Sequence, residues 1–215
     1  MTDLNSDQIL DMEKFYRINL ANSLTGYKSL NLLGTVSEEG ATNLCIVSSV
    51  FHMGSNPPLF GLIIRPAREH NDTLKNIKLT GQYTLNNVLP QFYKQAHQTS
   101  ASYASGLSEF TECGFNEMYA ENFKAPFVKE SSVRIGLQLK ELIEMTMNST
   151  TLVVGEVTHI LADESLIGDD GFIDPVKAGT VTLAGLDSYY TTEPLRRLAY
   201  AKPGVEPQEL NNNEE

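Results

Sequence analysis

The chain has 215 residues, a formal charge of −11 at pH 7 and two cysteines. That length suits one domain with a sizeable core, and the negative charge argues against nucleic acid or an anionic membrane as the main partner without opposing a local basic pocket. Cys45 and Cys113 cannot make a disulfide framework, the first ten residues are polar and acidic, and no apolar run approaches the ~20 residues of a membrane span, so a reduced cytoplasmic compartment is the expected home.

Ile9, Met12, Phe15 and Tyr16 have helical spacing and predict one short amphipathic helix capped near Ser6 or Asp7. After a turn at Asn22–Gly26, Leu30, Leu32 and Val36 alternate with Asn31, Leu33 and Thr35, which predicts a strand. Lys28 and Ser29 sit where it begins; Lys28 is either a solvated lysine or one that reaches a ligand phosphate. Glu38, Glu39 and Gly40 form a hairpin loop into the next stretch.

Residues 42–77 are the most informative. Thr42, Leu44, Ile46, Ser48 and Val50 share one face of a predicted strand, and Asn43, Cys45, Val47, Ser49 and Phe51 the other. Both faces carry apolar residues, so the strand should be covered on both sides. Ser48 and Ser49 are hydroxyls inside it and need partners, of which a ligand is one candidate. A turn through Asn56, Pro57 and Pro58 leads to an apolar strand over Leu59–Ile64 that ends at Arg65, with Arg68 close behind. Asn71 or Asp72 then caps a helix with Thr73 in its first turn, ending near Gly81. Free N–H groups at a helix start, a threonine hydroxyl and arginines are the parts of a phosphate site.

Gln82–Val88 reads as another strand, and Pro90 fits the first turn of a helix that packs Phe92, Tyr93 and Ala96 inward. A polar loop follows, from His97 through Ser100 to Tyr103. His97 could hydrogen-bond a ligand, or serve as a surface histidine bonded to a nearby carbonyl. Asn116 is predicted to start a helix through Met118, Tyr119 and Phe123. Strands return from Val133, and the β-branched run over Thr151–Ile160 contains Gly155, which predicts a bulge. Val181–Leu186 is a further short strand.

The ordered pieces resemble the flavin reductase-like family of FMN-binding split barrels. They are Gly40, Asn43, Leu44, Ser48 and Ser49; Asn56, Pro57 and Pro58; Arg65; Asn71, Asp72, Thr73, Asn76 and Ile77; Thr80, Gly81 and Tyr83; and Ser108, Glu109, Phe110, Gly114, Ala125, Pro126 and Glu130. The resemblance covers residues 26–160. It implies a mainly β, split antiparallel barrel with short flanking helices, in one domain over residues 1–202, ahead of a disordered acidic tail over 203–215. It implies a homodimer with FMN near the subunit interface, and hydride transfer from NAD(P)H to the flavin. Main chain near Asn43–Ser49, with Ser48 and Ser49, would meet the isoalloxazine edge; Lys28, Arg65, Arg68, Asn71 and Thr73 would hold the phosphate; His97, Ser100 and Tyr103 would face the substrate. Asn71 stands where the family often has lysine, which shifts the phosphate charge to Arg65, Arg68 or Lys28. An FMN-binding electron carrier without a nicotinamide site is the alternative, since this fold supports both uses.

Other chemistries lack their signatures. The four histidines show no metal spacing, and no H-E-x-x-H, G-x-S-x-G, P-loop or G-x-G-x-x-G pattern occurs. Cys45 reads as a small core residue sooner than as a reactive thiol.

Overall fold

The computed structural model describes residues 1–66, 72–104 and 106–210, so Arg68 and Asn71, both assigned to a phosphate, lie outside the described residues. Two short helices, α1 (Ser6–Leu10) and α2 (Lys14–Ser23), precede β1 (Lys28–Ser29), β2 (Asn31–Val36), β3 (Thr42–Val47), β4 (Phe51–Ser55) and β5 (Pro58–Ile64). Then come α3 (Asp72–Thr80), β6 (Gln82–Asn87), α4 (Tyr93–Gln98), α5 (Glu109–Glu112), β7 (Glu117–Met118), β8 (Phe127–Val128), β9 (Val133–Met145) and β10 (Thr150–Ala162). The chain ends with β11 (Thr182–Ala184) and β12 (Ser188–Tyr190).

Seven strands form one antiparallel sheet in the order β3-β2-β6-β9-β10-β5-β4. Its two outermost strands, β3 and β4, are consecutive in sequence and joined by Ser48–Val50. A chain that must step from one end of a sheet to the other in three residues forces the sheet to curl until its ends meet. The ends do not pair as strands, so the barrel is split. The predicted single strand over residues 42–51 is therefore two strands, broken where the chain crosses the split.

Alternation along β2 builds two cores. Leu33 joins Leu62, Ile64, Ile77, Tyr83, Leu85, Leu137 and Val153 inside the barrel. Leu32 joins Leu30, Leu44, Val88, Phe92, Phe110 and Leu183 on the other side. The sheet is covered on both faces, as the apolar character of both faces of β3 requires. The long β9–β10 hairpin carries a register shift between Val154 and Gly155. A Cβ on Gly155 would lie 2.1 Å from the Tyr83 hydroxyl, so the bulge position must be glycine for the tyrosine to fill the barrel.

Several expectations are corrected. The single N-terminal helix is two, interrupted at Asp11–Glu13, and the Glu13 carboxylate caps α2 by accepting from the N–H groups of Phe15 at 2.8 Å and Tyr16 at 2.9 Å. Neither helix buries a residue, and Phe15 and Tyr16 are 68% and 62% exposed. Pro90 lies in the turn ahead of α4. The helix expected from Asn116 is instead the β7–β8 pair, because the Glu130 carboxylate takes both the backbone N–H of Asn116, at 3.1 Å, and its side-chain amide, at 2.7 Å. Near the C-terminal end of the described residues, Ala199 N–H donates to Gln208 O at 2.8 Å and Leu210 N–H to Arg197 O at 2.9 Å. No helix of the described residues is long and apolar enough to cross a membrane.

Candidate functional site

A cleft of about 1080 Å3 opens at the split. Its walls are β3 and the crossing Ser48–Ser49, the end of β5 with Arg65, the first turn of α3, the end of α4 with the turn after it, and the β11–β12 edge. Lys28, Asn43, Ser48, Ser49, Arg65, Thr73, His97, Ser100 and Tyr103 all line it. Residues up to 75 positions apart in sequence thus share one cavity, but their side chains do different things there.

The crossing is held by Ser49. The β4–β5 register pairs Phe51 with Gly61, so residue 49 falls opposite Ile63. There the Ser49 hydroxyl replaces the backbone partner, donating to Ile63 O at 2.8 Å and accepting from Ile63 N–H at 3.1 Å. Its proton is committed to closing the barrel. Among the described residues, the main-chain groups of Ser48–Val50 pair with no other main-chain group, and the Ser48 hydroxyl has no partner. Buried or half-buried polar groups of this kind call for a partner, and Ser48 and Ser49 line the cavity.

A cationic corner lies at the same end. Arg65 donates to Asn22 Oδ1 at 3.4 Å. Lys28 donates to the main-chain oxygens of Gly185 and, at 3.4 Å, Asn22. Burial and the neighbouring Arg65 charge hold the Lys28 ammonium below the usual lysine range. Neither cation forms an ion pair with a carboxylate among the described residues. Positive charge is therefore concentrated locally in a chain of net charge −11.

Thr73 sits where α3 meets the sheet. It is 5% exposed, and its hydroxyl accepts from the Asn43 amide at 3.0 Å and lies 3.4 Å from Cys45 Sγ. The Asn43 amide also donates to Thr35 Oγ1 at 3.2 Å, as does that of Asn76. Asn43 and Thr73 thus bolt α3 onto β2 and β3. Burial pushes the Cys45 thiol up to about 11, which suits a core residue.

Glu109 and Tyr189 are the cleft residues that sequence reasoning missed. The Glu109 carboxylate accepts from Leu44 N–H at 3.0 Å and so caps the open edge of β3; burial holds its pKa above the usual carboxylate value. Its place in the Ser108-Glu109-Phe110 motif was the available signal. On the opposite wall, His97 Nδ1 is 2.6 Å from the Tyr189 hydroxyl. The Ser100 side chain is exposed and has no hydrogen-bond partner among the described residues, and the Tyr103 hydroxyl lies 3.4 Å from Cys113 Sγ. No group of three or more His, Cys, Asp or Glu among the described residues is placed to hold a metal ion.

A seven-stranded barrel split beside a cleft with a cationic corner defines a class of ligand-binding barrel, and the family follows from comparison. Residues 26–174 match the flavin reductase like domain, and the chain belongs to that family. Its fold is similar to that of a candidate flavin reductase with a split barrel domain from Shewanella frigidimarina NCIMB 400, with a TM-score of 0.90 and 45% identity over 94% of this chain and 100% of that one. It is also similar to nitrilotriacetate monooxygenase component B from Bacillus cereus, at a TM-score of 0.80, 21% identity, and 92% and 98% coverage. A third similar fold is 2-nitrobenzoate 2-nitroreductase from Pseudomonas fluorescens, at a TM-score of 0.80, 20% identity, and 95% and 98% coverage.

Proposed function

We propose that the cleft binds FMN and that the chain transfers a hydride from NAD(P)H to it. The observation that carries this reading is the joint presence, at one end of one cleft, of unpaired main chain at Ser48 and Ser49 and the Lys28–Arg65 cations. A flavin mononucleotide needs both: hydrogen-bonding groups for the polar edge of its ring and positive charge for its phosphate. The volume of about 1080 Å3 also leaves room for a second planar ligand beside the first.

When bound, the flavin supplies the hydride-accepting ring, and the protein contributes binding, orientation and exclusion of water. Lys28 and Arg65 anchor the phosphate. Ser48 and the main chain of the crossing orient the ring edge. His97 and Ser100, on the opposite wall, meet the nicotinamide. The protein acts as a homodimer in this reading, and the exposed Phe15, Tyr16, Leu24 and Tyr27 supply apolar surface for a second copy.

Purified protein, titrated with FMN, should bind close to one flavin per subunit with quenching of flavin fluorescence. Anaerobic NADH or NADPH should then bleach the flavin absorbance within seconds, in line with turnover on the order of 10 per second. Bleaching by dithionite but by neither nicotinamide would assign the chain to electron carriage instead.

A further inference from the structure

We propose that Tyr189 is a positioning residue: its hydroxyl donates to His97 Nδ1, fixes the imidazole as the Nε2–H tautomer, and so makes His97 a hydrogen-bond donor to a carboxamide oxygen in the cleft. The identity of that acceptor as a nicotinamide carboxamide rests on the reductase reading above; the tautomer does not.

Tyr189 joins two walls of the cleft that are 92 residues apart in sequence. It sits on β12, paired with Leu183 of β11. Its ring packs against Tyr93 at 5.4 Å, tilted by 51°, and edge-on to His97 at 5.7 Å and 82°. Its hydroxyl is 2.6 Å from Nδ1, at the short end for a hydrogen bond.

The proton is assigned by counting partners. Tyr189 is half-buried, and among the described residues its hydroxyl has no partner other than His97. If Nδ1–H were the donor, the phenol proton would be left unpaired in a partly desolvated place, which is unfavourable. If the phenol donates, both groups are satisfied. Burial and the charge of Asp187 raise the phenol pKa and keep it in the form that can donate. A neutral imidazole that accepts at Nδ1 carries its proton on Nε2. His97 is exposed and lines the cleft, and Nε2 has no protein partner among the described residues.

The test begins with apo protein labelled with 15N-histidine, whose ring nitrogens are read by long-range proton–nitrogen NMR. The His97 signals are identified by their loss in His97→Gln. In wild type, Nε2 should carry the proton and Nδ1 should not, and Tyr189→Phe should shift the population toward a mixture of tautomers. Protonated Nδ1 in wild type, or an unchanged pattern in Tyr189→Phe, overturns the proposal. In the FMN-loaded protein, Tyr189→Phe should raise the nicotinamide concentration for half-maximal bleaching about fivefold, the loss expected of one neutral hydrogen bond. FMN affinity should hold. The loss should vanish in a His97→Ala background, and an additive loss there overturns coupling through His97. If wild-type flavin is bleached by neither nicotinamide, the reductase reading falls, and the tautomer measurement still decides the role of Tyr189.

Discussion

Replacing Arg65 by alanine removes one of the two cations, Lys28 being the other, that the described residues bring together at the split. In the FMN reading, the phosphate is what Arg65 recognises. A charge-assisted hydrogen bond contributes roughly 1.5–3 kcal/mol. Arg65 is exposed and its only bond among the described residues is a long one to Asn22, so the low end applies. About 1.5 kcal/mol is roughly a tenfold rise in FMN Kd. Riboflavin has the same ring and no phosphate, so its Kd should stay within about twofold. Fluorescence quenching titrations with both ligands, at low and high salt, make the measurement, and salt should narrow the FMN difference. Equal losses for FMN and riboflavin would refute the assignment of Arg65 to the phosphate.

Thr73→Val should leave the ratio of FMN to riboflavin affinity nearly unchanged and instead lower stability by about 1–3 kcal/mol, because it strips the Asn43 amide of a buried partner; a selective loss of FMN binding in this variant would return Thr73 to the phosphate. Ser49→Ala removes both bonds to Ile63 and should cost about 1–3 kcal/mol in urea unfolding, with β4 and β5 showing the fastest amide exchange; a cost below about 0.5 kcal/mol would mean the crossing is held by something else. Cys45 supplies a pH dependence. Its folded-state pKa is raised from the usual 9.0 to about 11, so its contribution is fully present below pH 9 and is lost as pH rises through 11. The urea midpoint of wild type should therefore fall more steeply over that window than that of Cys45→Ala, and parallel curves would contradict a buried thiol.

Much of the architecture is written in local pattern. Alternation over residues 30–36 and 82–88 marks strands because a pleat sends successive side chains to opposite faces, and Gly155 marks a bulge because a side chain there would strike Tyr83. The ordered motifs from Gly40 to Glu130 carry the family, and with it the split barrel, since their order reflects one way of threading the sheet. Nine of the predicted site residues do line one cleft. What each side chain does there was not legible. A hydroxyl on a strand reads the same whether its partner is a ligand or a backbone group 14 residues away, and Ser49 bonds the latter. Thr73 looked like a phosphate contact because local spacing places it in a first helical turn. Only the packing of α3 against β3 turns it toward Asn43, 30 residues distant. The β7–β8 pair replaces a helix because Glu130 captures Asn116 from across a loop, and His97 acquires its orientation from a tyrosine on another wall. Periodicity records which face of an element is buried, and that was enough to mark several of the strands, while the ordered motifs carried the family. Hydrogen-bond partners are chosen among groups distant in sequence that folding alone brings within 3 Å or so, and that choice was made by the tertiary structure.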